Sequence, residues 1–142
     1  MSPRKTVLIL CTGNSCRSQM AEGWIREDLG DLVEVHSAGT RPSFVHPMAV
    51  RVMGEAGVDL SGHLSRSVLE FWGRPFDLVV TVCDGAREAC PSFQGARRQV
   101  HESFPDPAGV SGTDEEVLDT FRQVRDEIRN RLVPLVRREL AL

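Results

Sequence analysis

The stretch Thr6-Val7-Leu8-Ile9-Leu10-Cys11-Thr12-Gly13-Asn14-Ser15-Cys16-Arg17-Ser18 decides how the rest of the chain is read. Thr6 to Leu10 is apolar or β-branched without alternation, as in a strand buried on both faces of a parallel sheet. From about Ser18 to Leu29, Met20, Trp24 and Ile25 form an inward helical stripe that Gly30 stops. The residues between therefore join a central strand to a helix. Ligands of open parallel sheets bind at the carboxyl ends of the strands. A loop running there into a helix N-terminus turns backbone N–H groups inward and adds the positive end of the helix dipole. Gly13 and Asn14 tolerate left-handed backbone angles, and Arg17 can close the cradle with a planar fork on a tetrahedral oxyanion. Thr12, Gly13, Asn14, Ser15, Cys16 and Arg17 are thus the candidate oxyanion-binding residues. Cys11 would lie on the floor, where donors and a guanidinium favour its thiolate and make it a nucleophile. Ser18 can donate a further hydrogen bond to that sulfur. The plainer alternative, a buried strand-end cysteine and a surface arginine, is weakened by their place between strand and helix.

Outward from this stretch, strands and helices alternate. Val33 to Ser37 alternates as a second strand, ended by Ala38-Gly39. Pro47 suits the first turn of a helix through about Ala56, with Val50 and Met53 inward and Gly57 at its end. A short helix is expected around Val68 to Trp72, a clear strand over Phe76 to Val82 and a weaker one at Gln99-Val100-His101. From about Asp114 to Leu140, Val117, Phe121, Val124, Ile128, Leu132 and Leu135 recur at helical spacing. Thr113 is placed to cap that helix, Asp114, Glu115 and Glu116 fill its first turn, and Pro134 should kink or break it. The expected fold class is α/β, a three-layer sandwich around a parallel sheet, with residues 1–142 forming one catalytic domain.

Bulk properties narrow the function. A net charge of −3 gives no case for nucleic acid or a membrane surface. No run approaches the roughly 18 apolar residues of a membrane span. The apolar run after Lys5 is too short for a signal peptide and leads into the cysteine loop, so cytoplasm is the expected location. Four cysteines, Cys11, Cys16, Cys83 and Cys90, then point to catalysis or metal binding more than to a structural disulfide framework. Their spacings are not the tight pairs of structural zinc sites. His36, His46, His63 and His101 read as satisfied or solvated side chains.

Cys-x5-Arg-Ser after the first strand resembles the low-molecular-weight protein tyrosine phosphatases and the arsenate reductases that share their fold. Cys11–Gly23 (CTGNSCRSQMAEG), Val35–Gly39 (VHSAG) and Asp106-Pro107-Ala108 all fall where that family places such segments. The resemblance implies a four-stranded parallel sheet with helices on both faces. It also implies Cys11 as nucleophile, Arg17 as anion clamp, Ser18 as thiolate partner and Asp106 as general acid on a loop over the site. Taken alone, Asp106 before Pro107 is also an ordinary turn initiator.

The loop serves both sister activities, and Cys83 with Cys90 separates them. Cys83 follows the strand Asp77–Val82 and so lies at the same carboxyl edge, while Cys90 sits in a polar segment of small residues. A phosphatase needs no such pair, whereas a reductase needs two electrons, which neighbouring thiols supply by disulfide exchange. The cysteine arrangement resembles the thioredoxin-coupled arsenate reductases, which implies a relay from Cys11 to Cys83 to Cys90. The partners so implied are arsenate and thioredoxin, with a monomeric chain and no cofactor. The chain contains no tyrosine to grip a phosphotyrosine ring beside Asp106. The alternatives are a tyrosine phosphatase working through a phosphocysteine at Cys11, and a non-enzymatic thiol protein. Cys83 and Cys90 could also be a small core residue and a loop thiol. Some reductases of this family bind potassium through side chains corresponding to Asn14, Glu22, Ser37 and an acidic residue near position 66. Arg66 stands there in this chain, so no metal and no potassium requirement are expected.

Overall fold

The computed structural model describes residues 3–84 and 92–142. Lys5–Cys11 forms strand β1, and within it Val7, Leu8, Ile9 and Leu10 have no exposed surface. Such a strand must be central. It pairs in parallel with β2 (Val33–Gly39) on one side and β3 (Leu78–Thr81) on the other, and β4 (Gln99–His101) completes the order β2-β1-β3-β4. The helices are α1 (Arg17–Leu29), α2 (Pro47–Glu55) and α3 (Asp114–Glu139), with 3-10 turns at Val68–Glu70 and Pro107–Gly109.

Alternation along β1 splits the core in two. Val7, Ile9 and Cys11 pack with residues of all three helices, among them Trp24, Val52, Phe121 and Ile128. Leu8 and Leu10 face the other way, onto Val68, Phe71, Phe76, Val79 and Phe93. The three layers are therefore present, and among the described residues the second face is covered by a 3-10 turn and aromatic rings in place of an α-helix.

Several local expectations need correction. Val52, with Ala49 and Met53, is the buried residue of α2, and Val50 is half-buried. On α3, Leu118 is fully inward, and Val117, expected there, is half-buried against the same core. Neither apolar stripe has the sharp edges that spacing alone suggested. Pro134 does not end α3, which continues to Glu139. Gly30 closes α1 without left-handed angles, at φ −59°. A Cβ there would lie 2.3 Å from the Arg26 carbonyl oxygen, so close approach is what requires glycine. No helix of the described residues is long and apolar enough to cross a membrane.

Candidate active site

β1 delivers Cys11 to the carboxyl edge of the sheet, and α1 begins six residues later at Arg17. Every carbonyl between them is engaged from outside the loop. Thr40 N–H donates to Cys11 O at 3.3 Å, Arg41 N–H to Thr12 O at 2.9 Å, Ser43 N–H to Gly13 O at 3.2 Å and His46 N–H to Ser15 O at 3.1 Å. Gln19 Nε2 donates to Asn14 O at 3.1 Å. A trans peptide sets its N–H opposite its C=O, so the amides of residues 12 to 16 turn the other way, toward the concavity. Cys16, the N-cap of α1, makes no capping bond with its side chain, and the first turn holds no acidic residue. The positive helix end is left for an anion.

The concavity is a small cleft of about 80 Å³ lined by Cys11, Gly13, Ser15, Cys16, Arg17, Asp106 and Ala108. Of the expected oxyanion residues, Asn14 turns its side chain away from the cleft, onto Ser18 and Ser37. Asn14 is the left-handed residue of the loop, at φ +46°, and is fully buried. Gly13 does not have positive φ. Gly39 at the end of β2 lets the loop approach, since a Cβ there would lie 2.4 Å from Thr12 O.

Cys11 has a long chain of support. Cys11 Sγ lies 3.0 Å from Ser18 Oγ. Asn14 Nδ2 donates to Ser18 Oγ at 2.8 Å and to Ser37 Oγ at 3.0 Å, and Ser37 donates to Glu22 Oε1 at 2.8 Å. Gln19, fully buried, also donates to Asn14 Oδ1 at 3.0 Å. Gln19 and Ser65, which donates to Gly13 O at 3.1 Å, were missed from the sequence, and Ser37 was considered only where relatives bind potassium. Their one signal was polar residues amid apolar stripes. Across the cleft, Arg17 is 5% exposed and donates to Phe104 O at 3.3 Å, with Asp106 Oδ2 at 3.7 Å from its Nη2. Asp106 also caps the 3-10 turn, accepting from Ala108 N–H at 3.0 Å, so the turn-forming and site-facing readings of this residue coexist.

Cys16 is buried, and burial with the nearby Asp106 and Cys11 pushes its thiol up to about 12. Cys83 is fully buried two residues past β3, and the intervening Val82 N–H donates to Leu10 O at 2.9 Å. Cys83 is held in a disulfide, whereas Cys11 and Cys16 are free thiols. Cys90 lies outside the described residues. All four imidazoles have structural partners, such as the Met48 N–H for His46 and Thr81 for His101.

The residues that would hold potassium do not fit it as they stand. Asn14 Oδ1 already accepts from Arg66 N–H at 2.8 Å as well as from Gln19. Glu22 Oε2 faces Arg26 Nη1 at 3.0 Å and His63 Nδ1 at 3.2 Å. The side chain that sets a positive charge on Glu22 is thus Arg26, whereas the Arg66 guanidinium pairs with Glu70 at 3.2 Å. Among the described residues no group of His, Cys, Asp or Glu side chains is arranged to hold a metal. A larger cleft of about 370 Å³, lined by Lys5, Asp77 and Glu139 among others, lies at the opposite edge of the sheet and carries no nucleophile.

The family described as low molecular weight phosphotyrosine protein phosphatase matches residues 6–141. The chain belongs to this family. It is 47% identical over 129 residues to an arsenate reductase of Halalkalibacterium halodurans, covering 91% of this chain and 93% of that one. A solved structure of an arsenate reductase in the phosphate binding state aligns with a TM-score of 0.80 at 33% identity, covering 94% of this chain and 98% of the other. A thioredoxin-dependent arsenate reductase of Corynebacterium glutamicum aligns with a TM-score of 0.62 at 25% identity, over 95% of this chain and 64% of its own.

Proposed function

We propose that this chain reduces arsenate to arsenite in the cytoplasm through a thiol relay. The observation that carries the reading is a free Cys11 on the floor of an oxyanion cradle, with a disulfide-bonded Cys83 at the same edge of the sheet. Arsenate enters the cleft as a phosphate-like tetrahedral anion held by loop amides and the Arg17 fork. Cys11 Sγ attacks arsenic, and Asp106 gives a proton to the departing oxygen, which leaves as water. Cys83 as thiolate then attacks Cys11 Sγ. A sulfur–sulfur bond forms, the arsenic–sulfur pair of electrons stays on arsenic, and arsenite departs. Cys90 attacks Cys83 next and frees Cys11, and an external dithiol reduces the disulfide. A disulfide at Cys83 beside a free Cys11 is the oxidation pattern such a relay leaves once the nucleophile is released. The similarity to a reductase described as thioredoxin-dependent supports thioredoxin as that dithiol.

The family also holds phosphatases, and the same cradle fits phosphate, so a phosphocysteine route is the second reading. The absence of tyrosine from the chain favours a small inorganic anion over a peptide. The test is arsenate-dependent NADPH oxidation with thioredoxin and thioredoxin reductase, comparing wild type with Cys83→Ser. Turnover in wild type and at least about a hundred-fold loss in the variant are expected. No arsenate turnover, with aryl phosphate hydrolysis intact in both proteins, would make the chain a phosphatase.

A further inference from the structure

Both groups that face Cys11 across the cleft depend on the backbone from Glu102 to Asp106. Phe104 supplies the carbonyl that orients Arg17, and Asp106 follows two residues later. Sheet pairing weakens along this segment. Glu102 N–H donates to Thr81 O at 2.9 Å, but Phe104 N–H reaches Val82 O only at 3.4 Å.

Arg131 on α3 takes over where the sheet fades. Its guanidinium lies 4.5 Å from the centre of the wholly buried Phe104 ring. Nη2 donates to Ser103 O at 3.1 Å, Nε donates to Glu102 Oε1 at 3.0 Å, and Nη1 pairs with Glu127 one turn back on the same helix. One planar group thus meets three consecutive residues by carboxylate, carbonyl and ring, which a point charge could not do. As an isolated surface ion pair it would contribute little to stability. Its contacts, however, fall on backbone that carries the site, and such supporting bonds set how well a binding group is held.

We propose that Arg131 is a positioning residue of the oxyanion site. It fixes the segment 102–104 so that the Phe104 carbonyl aims the Arg17 fork and Asp106 is held over Cys11. It touches no substrate. The inference rests on the oxyanion reading above, and its test needs neither arsenate turnover nor thioredoxin.

The full chain, reduced, is treated with iodoacetamide under rising inorganic phosphate, and Cys11 modification is followed by peptide mass. The phosphate concentration that halves the rate is compared among wild type, Arg131→Met, Arg131→Lys and Arg129→Met. Arg129 is a control on the same helix, stacked 4.3 Å from the Trp24 ring and paired with Asp28 at 2.9 Å, away from the cleft. Arg131→Met is expected to raise the half-protecting concentration about five-fold, the effect of losing one or two bonds. Arg131→Lys keeps the charge over the ring without the fork and falls between Met and wild type. Arg129→Met leaves the value unchanged. Half-protection within two-fold of wild type in Arg131→Met would overturn the assignment, as would an equal shift in Arg129→Met, which would mark a general loosening of α3. Phosphate that gives wild-type Cys11 no protection would remove the oxyanion site itself, and this role with it.

Discussion

Cys11 and Cys16 share one loop, yet their sulfurs meet different surroundings. Cys11 has Ser18 Oγ at 3.0 Å, a hydroxyl fixed in turn by Asn14. Cys16 is buried beside Asp106, and burial, then the charges of Asp106 and Cys11, outweigh the hydrogen bond of Ser15 and the attraction of Arg17. A thiol raised to about 12 stays protonated through the neutral and mildly alkaline range, and only the thiolate is nucleophilic. We propose that Cys16 packs beside the cleft without reacting. Iodoacetamide at about pH 8 is expected to label Cys11 and leave Cys16 untouched, and Cys16→Ala should keep kcat/KM for arsenate within about three-fold. Labelling of Cys16 as fast as Cys11, or a loss beyond ten-fold in the alanine variant, would give this sulfur a chemical role.

At the scale of elements, α1 and the segment following Leu60 meet through His63. Its Nδ1 faces Gln19 Oε1 at 2.9 Å and Glu22 Oε2 at 3.2 Å, while Nε2 faces Arg26 Nη1 at 3.0 Å. An arginine can only donate, so Nε2 must accept, and the neutral Nδ1–H tautomer satisfies all three neighbours. Burial, the largest cause, lowers the pKa of His63 below 6.5. Arg26 acts in the same direction, and Glu22 and Asp59 oppose it. A histidine lowered in the fold is protonated first in the unfolded chain. Its contribution is therefore full above about pH 6.5 and is lost as pH falls through the folded value. Between about pH 7.5 and about pH 5, wild type should lose more in melting temperature than His63→Gln, which keeps a donor and an acceptor but does not titrate. Equal losses would show that His63 carries none of the pH dependence. No reading of the sequence finds this contact, because His63 reaches Gln19, Glu22 and Arg26 only when α1 docks. What was legible follows from chain-local physics: the unalternating β1, the stripe of α1, the Thr113 cap, and the place of the Cys11-to-Arg17 loop between strand and helix. The inward residue of α2, the survival of α3 through Pro134 and the use of Asn14 as an internal tie depend on tertiary packing.

The whole molecule is held by the face on which α3 lies across α1, α2 and β1. Phe121, Ile128 and Leu132 on that face have no exposed surface. The rim of the same contact carries ion pairs: Arg122 grips Glu55 with two bonds of 2.9 Å, Arg125 reaches it at 3.4 Å, and Arg129 pairs with Asp28. These groups lie partly in water, where side-chain entropy and solvent screening offset most of the Coulomb gain. A buried isoleucine loses both transfer free energy and packing when truncated, because the rigid surroundings cannot close around the void. Ile128→Ala is accordingly expected to lower unfolding stability by about 2–5 kcal/mol, read from the urea midpoint at unchanged slope. Glu55→Gln should leave that midpoint within experimental scatter, since Arg122 keeps Glu115 and Asp119 and Arg125 keeps Asp126. Because β1 carries Cys11 and α1 carries Arg17, these two sides of the cleft are fixed to each other through this apolar face. A Glu55→Gln midpoint shifted as far as that of Ile128→Ala would mean instead that the rim ion pairs set the spacing of the helices, and with it the width of the oxyanion site.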